Sequence, residues 1–467
     1  MPRSTRFEAH VGGPRASTRV LLLALCLLPC PPAAADLVTA QLAYQKGDYE
    51  RALHDYRELA ELGQPTAQYN LAIMYSRGQG TRQSDIYAYA WATLAAESGA
   101  SRGQQLADEL RPLLAPGSEK IASDIAAPFR RAVLDERLMP KVEDEPKGAC
   151  GKFTSPRIDY PPEAGWGGIQ GNVFAEFVVM PDGTARHARI IYAAPPGTFE
   201  DTVREAVLHL KFTLRAPDTG PAHCRVMFRF AAQNEGASSY PRLEIFVKEN
   251  RIKAEAGDVE SELMYAMLLA GYPQLGHHPA SDALPWFLKA AQAGAPTAQY
   301  EVGASLLNGV GCRCEATKGE VWLRKAAEAD QPDAQVTLAQ YALRGSPDAA
   351  ATTQAKLWLE RAVKSGNHDG MLYLSALLAA TPVSGLRDPA RALQLVESVK
   401  KDLRGDPSEF EIRAAAQAST GDFAQAAKSE REAIGRATKL RWDLAPLNER
   451  LAAYESQKPW AGNLLVF

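Results

Sequence analysis

No apolar run in this chain approaches the roughly 20 residues that a membrane-spanning helix needs. The stretch from Val20 to Leu28 is far shorter. Neither sign of charge dominates: 52 basic residues stand against 55 acidic ones, for a formal net charge of -3. Without a basic excess there is no broad field to hold nucleic acid, so nucleic acid is not expected as a partner. Signatures of catalysis are missing too. There is no nucleophile elbow, phosphate loop, zinc-protease helix or cysteine-ligand quartet. The adjacent pair His277-His278, with Asp282 close by, lies in a Gly/Pro-rich loop, and neighbouring side chains rarely aim at one metal. His209, between Leu208 and Leu210, reads as a packed or surface histidine. The glycines of residues 165–171 precede a strand rather than follow one, the wrong order for a phosphate cradle. No catalytic residue, metal ligand, cofactor or small-molecule substrate is therefore expected, and the chain reads as a non-enzyme.

What is present begins with a processing signal. Arg3, Arg6, Arg15 and Arg19 form a positive leader, Val20 to Leu28 an apolar segment, and Ala33-Ala34-Ala35 a small-residue cleavage pattern. Residues 1–35 are thus expected to be removed between Ala35 and Asp36, which places the mature chain in the periplasm. A lipoprotein would need Cys30, and Pro29 before it fits lipidation poorly. Four cysteines lie beyond the signal: Cys150, Cys224, Cys312 and Cys314. An oxidising compartment favours pairing. The expected pairs are Cys150 with Cys224, and Cys312 with Cys314 in a small loop disulfide.

Internal repetition organises the rest. Trp286, Trp322 and Trp358 recur every 36 residues, each followed by Ala290-Ala291, Ala326-Ala327 or Ala362-Val363. Lys289, Lys325 and Arg361 keep the same step, as do the breaks at Gly294, Asp330 and Gly366 and the small residues Ala298, Ala334 and Gly370. The same grammar appears earlier at Gly63, Gly99, Ala67, Gly103 and Trp91. A period near 36 with two apolar-periodic runs is a helix-turn-helix unit that must stack to bury its face. The segments AGAPTAQYEVGASLLNGVG, VWLRKAAEADQPDAQVTLA, LGQPTAQYNLAIMYSRGQG and YAWATLAAESGA resemble the Sel-one-like repeat, a relative of the tetratricopeptide repeat. Gly421-Asp422-Phe423 with Ala426, and Gly47-Asp48-Tyr49 with Ala52, are similar to plain tetratricopeptide units at the ends.

Between the arrays the period changes to two. Val173, Ala175, Phe177 and Val179 alternate with Phe174, Glu176 and Val178, and Pro181-Asp182-Gly183 marks a turn. A second strand runs through Ala188, Ile190 and Tyr192, a helix from Phe199 to Phe212, and a last strand through Cys224, Val226, Phe228 and Phe230. Tyr160-Pro161, the GIQGNV run at 168–173, Phe177-Val178-Val179, Asp182-Gly183 and Lys211-Phe212 follow one another as in the TonB C-terminal domain, which this segment resembles. It departs from the family in having Thr213-Leu214 after Lys211-Phe212 and its proline only at Pro217, and it has neither an uncleaved membrane helix nor a long proline-rich spacer.

The expected fold is mainly α: α-solenoid repeats flanking a small α+β TonB-like domain. The expected boundaries are 36–140 for the first repeats, 141–152 for a charged linker and 153–233 for the TonB-like domain. A linker passing into helix follows at 234–257, then repeats at 258–405 and tetratricopeptide-like capping helices and tail at 406–467. The resemblance implies strand addition of a partner peptide to the edge at Val226, Phe228 and Phe230. Partners would be proteins: TonB-dependent outer-membrane receptors or other envelope proteins. The leading expectation is a periplasmic scaffold. Its alternatives are an energy-coupling component of TonB-dependent transport and an envelope protein that dimerises through the β domain.

Overall fold

The computed structural model describes residues 37–130, 138–143, 153–154, 158, 160–166, 169, 171–212, 222–230, 241–271, 279–344 and 347–465. Ala35, Asp36 and Cys150 lie outside them, as do most of the expected linker and the His277-His278 pair. The first array contains α1 (Leu37–Gln45), α2 (Tyr49–Glu61), α3 (Pro65–Arg77), α4 (Asp85–Glu97), α5 (Gly103–Leu110) and α6 (Ser118–Ala126). The β domain holds β1 (Phe153–Thr154), α7 (Pro162–Trp166), β2 (Gly171–Val179), β3 (Ala185–Ala194), α8 (Glu200–Leu208), β4 (Lys211–Phe212) and β5 (Ala222–Phe230). The second array runs through α9 (Pro241–Glu255), α10 (Val259–Gly271), α11 (Pro279–Gln292), α12 (Pro296–Asn308), α13 (Ala316–Glu328), α14 (Pro332–Ala342), α15 (Ala349–Lys364) and α16 (His368–Ala380). The chain closes with α17 (Pro389–Ser398), α18 (Ser408–Ser419), α19 (Phe423–Leu440) and α20 (Ala445–Glu455).

Each repeated residue type has a local job. A proline opens α3, α12 and α14, where its missing N–H would be unbonded in any case. Gln64, Gln331 and Asn367 cap α3, α14 and α16 by accepting from the amides of Ala67, Ala334 and Gly370. The glutamine of each Ala-Gln step reaches back one helix. Gln68, Gln299 and Gln335 Nε2 donate to the carbonyls of Ala60, Ala291 and Ala327, last-turn oxygens with no partner inside their own helices. The turn between helices takes a left-handed residue. Gly294 and Gly366 sit at φ 98° and 78°, and Asp330 holds the same place at φ 59°. The basic residue three positions after each tryptophan lies over its ring, at 4.0 Å for Lys289, 4.8 Å for Lys325 and 5.0 Å for Arg361. Small residues admit close backbones. A methyl on Gly370 would stand 2.8 Å from the Ala362 Cβ.

The two arrays touch, which the sequence alone left open. α1 packs on α15, and Leu62 joins the core around Trp322. Gln64 Nε2 donates to Glu328 Oε1 at 3.2 Å. The end of the expected first repeats and the start of the linker are anchored as well. Leu138 is buried, its carbonyl accepts from Trp322 Nε1 at 3.2 Å, and Val142 bridges to Cys312.

The main sheet is antiparallel with order β3-β2-β5, beside a two-stranded β1-β4 pair. The helix expected from Phe199 to Phe212 is shorter, ending at Leu208. Lys211 and Phe212 instead pair with Thr154 and Phe153, because a second short ladder satisfies their backbone. Helix α8 lies on one face of the sheet, where Val173, Ala175, Phe177 and Val179 meet Phe199, Val203 and Val207.

Candidate functional site

The face of the sheet opposite α8 is not open to water. Strand β2 is buried on both sides: Phe174 and Val178, which alternate with the core residues, are 6% and 8% exposed. What covers that face is the first-helix side of the second array. α12, α14 and α16 present Tyr300, Asp333 and Asp369 to β3. Thr297, Asp333 and Asp369 fall 36 residues apart, each in the first turn of its helix, so stacking brings them into one row. A carboxylate there is favoured by the positive end of the helix dipole.

Arg189 of β3 reaches into this row. Its guanidinium stands 3.0 Å from Glu176 Oε1 on the neighbouring strand, 2.9 Å from Asp333 Oδ1 and 3.9 Å from Asp369 Oδ2. Nη2 also donates to the Tyr300 hydroxyl at 2.5 Å. A bulge aims it there. β3 spends an extra residue between the pairs Glu176–Arg189 and Val178–Arg186, and His187 takes up a left-handed φ of 55°. That conformation costs an ordinary residue about 1 kcal/mol. Burial pushes the Asp369 carboxyl up to about 6, against the pull of Arg189 and with help from Asp333 and Glu176. A cavity of about 300 Å³ lies beside this cluster, reaching Arg204, His368 and Asp402. His368 Nδ1 pairs with Asp402, and Arg204 stands 3.5 Å from the same carboxylate.

The C-terminal helices hold the domain from a second side. Lys211 Nζ donates to the Leu440 carbonyl at 2.6 Å, the Asp443 amide donates to Asp182 Oδ2 at 3.2 Å, and Arg186 lies 4.1 Å over the Trp442 ring. Leu208 enters the small core of Ala433, Ala437, Leu440 and Trp442.

The residues expected to receive a partner peptide lie on β5, an edge strand that pairs with β2 alone among the described residues. Phe228 and Phe230 turn inward, 6% and 5% exposed, and Phe230 stacks on Phe199 at 4.2 Å. Val226 is half-buried. Tyr160 of the Tyr-Pro motif sets its ring edge-on to Phe199 and Phe230, and its hydroxyl donates to the Ile169 carbonyl. What β5 can offer is therefore its backbone edge rather than those three side chains. The expected disulfide between Cys312 and Cys314 is not formed. Cys312 is a free buried thiol, turned into the core around Trp322 beside the Val142 bridge, while Cys314 is disulfide-bonded without it. Cys224 is also disulfide-bonded. Its expected partner, Cys150, is outside the described residues.

Among the described residues no three or more His, Cys, Asp or Glu side chains gather as a metal site, and no helix is long and apolar enough to cross a membrane. Sequence reasoning missed the Arg189 joint. Its signals were Phe174 and Val178, apolar where a one-sided sheet would be polar, and the aspartates at the repeat period.

No curated protein matches the chain. A protective antigen of uropathogenic Escherichia coli displaying an SLR fold is 16% identical, with a TM-score of 0.34 over 90% of this chain. The chain spans 65% of that structure's length. A Sel1 repeat protein from Oxalobacter formigenes is 19% identical, with a TM-score of 0.32, covering 46% of this chain and 97% of its own. The profile of the Gram-negative bacterial TonB protein C-terminal family matches residues 156–231, and the Sel1 repeat profile matches residues 65–99, 296–331 and 332–367. The chain thus carries a TonB C-terminal domain set between Sel1 repeats.

Proposed function

We propose that this chain is an exported periplasmic scaffold that takes an extended segment of an envelope protein onto the β5 edge. The observation that carries the reading is the sheet order. β5 pairs on one side only among the described residues, while the face shared by β2 and β3 is laid against the repeats. A docked domain presents its remaining edge in a fixed orientation, and an added strand gains main-chain hydrogen bonds with little ordering cost. The repeats then serve as the frame, and their outer surfaces remain for further protein contacts. The TonB-type domain favours outer-membrane receptors as the source of the strand.

The test is crosslinking of the full-length chain in a Gram-negative host, with the crosslinked peptides sequenced. Crosslinks joining residues 222–230 to a receptor's periplasmic segment are expected, and Val226→Pro should remove them, since proline donates no ladder hydrogen bond. Crosslinks confined to the helices, or unchanged by the proline, would count against the edge.

A further inference from the structure

Arg189 faces more acid than it can neutralise. Glu176 comes from β2, Asp333 from α14 and Asp369 from α16, and the Tyr300 hydroxyl of α12 completes the shell. Asp369 also senses Tyr373 on its own helix and Arg204 on α8. Next to it, His368 is paired with Asp402, and His187 of β3 lies 6.0 Å from the Tyr373 ring. Three carboxylates around one guanidinium, in a joint that both partners shield, leave surplus negative charge where ionisation is costly. A proton on one carboxyl halves the surplus. Asp369 is the carboxyl to take it, since it is the farthest of the three from Arg189, at 3.9 Å.

We infer that the TonB-type domain is seated on the repeats by a proton-operated latch at Arg189 and Asp369, closed in acid and loosened as the proton leaves. The sense is the reverse of a simple salt bridge. Burial in the joint holds the Asp369 carboxyl at about 6; undocking would admit water to it and return it towards the ordinary aspartate range, so the docked state holds a proton that the undocked state releases. That contribution is fully present below the ordinary range and is lost as pH rises through about 6. The contacts of Lys211, Asp182 and Arg186 with residues 440–443 hold the turn end of the β2–β3 hairpin, so the movement is confined to the part of β3 beyond the bulge. The latch does not depend on what occupies the β5 edge.

Hydrogen exchange on the full-length protein tests it, read at peptides spanning residues 186–192 and 366–373 and corrected for the intrinsic pH dependence of exchange. Protection there should fall about tenfold between about pH 5 and about pH 7.5, while peptides from α1 to α6 keep theirs. Asp369→Asn should hold the protection at its acid level across the same range. A flat profile in the wild type, or a full pH step retained in Asp369→Asn, overturns the latch. If that variant fails to fold by circular dichroism, a carboxyl carbon NMR titration of the wild type decides. An Asp369 inflection in the ordinary aspartate range would then refute it.

Discussion

Arg189 and Asp333 meet at 2.9 Å across the joint between a β-sheet and a helical array, 144 residues apart in sequence. The pair ties the TonB-type domain to the side of the repeats where a partner would ordinarily be sought. The pair is partly buried, so removing one member strands the other at less than the about 3–5 kcal/mol of a fully buried pair. Arg189→Ala should therefore undock the sheet while leaving both folds intact. The expected result is faster exchange at residues 172–192 with unchanged helical circular dichroism, and unchanged exchange would refute the role given to the pair.

Close helix crossing gives a second test. A Cβ on Gly303 would stand 2.7 Å from the Leu323 Cγ, and one on Gly319 would stand 2.8 Å from the Gly303 carbonyl oxygen. Backbone cannot yield as a side-chain tip can. Gly319→Val should cost about 1–3 kcal/mol, and more than Gly435→Ala, where the added methyl meets nothing within 4 Å. Thermal unfolding of the two variants makes the comparison.

The glutamine of the Ala-Gln step is a third. Gln335 is 1% exposed and donates to the Ala327 carbonyl at 3.0 Å. Gln335→Leu keeps the volume and leaves that carbonyl with the Asp330 amide at 3.2 Å as its remaining donor, so the expected loss in chemical denaturation is that of one hydrogen bond, about 0.5–1.5 kcal/mol. Position 371, where the next repeat has methionine, carries no such bond, so Met371→Leu should be close to neutral.

The repeats and the strand order were legible because each rests on short-range grammar. Trp322, Ala326 and Asp330 act within one helix and its turn, and the alternation through β2 needs only the pleat. The end of α8 was not legible. Leu208 and Lys211 look equally helical until the β1–β4 ladder claims the latter. The joint was harder still, since Arg189 finds Tyr300, Asp333 and Asp369 only after both folds exist. Phe174 and Val178 carried the one local hint of a second covered face. Cys312 and Cys314 misled for a related reason: nearness in sequence suggested a bond, while the packing turned Cys312 into the core around Trp322.

That burial is itself testable. Cys312 is 4% exposed, and burial, with Glu315 and Glu143 nearby, pushes its thiol up to about 12. The thiolate is the reactive form, so native protein should leave Cys312 unlabelled by iodoacetamide, and unfolding without reductant should expose it. Peptide mapping that finds Cys312 joined to Cys314 would contradict the packing.

The C-terminal helices hold a second excess of acid over base, with its own pH signature. Arg450 Nε donates to Glu430 Oε1 at 3.0 Å, and its Nη2 pairs with Glu411, all three side chains being buried. Glu430 Oε2 is buried and unbonded, the position a proton would take. Burial, helped by Glu411, pushes the Glu430 carboxyl up to about 8 despite Arg450. A carboxyl raised on folding contributes stability that is complete below the ordinary glutamate range and is lost as pH rises through that value. The latch at Asp369 titrates lower, so the window above neutrality separates Glu430 from it, and Glu411, also raised by burial, is present in both proteins compared. The melting temperature of the wild type should fall between about pH 7 and about pH 9, whereas Glu430→Gln, which keeps an acceptor for Arg450 and cannot ionise, should stay level there. Arg450→Met, by contrast, leaves two buried carboxyls without their cation and should cost about 3–5 kcal/mol at neutral pH. Calorimetry across the pH range separates the outcomes, and equal slopes for wild type and Glu430→Gln would mean that Glu430 is ionised in the folded protein.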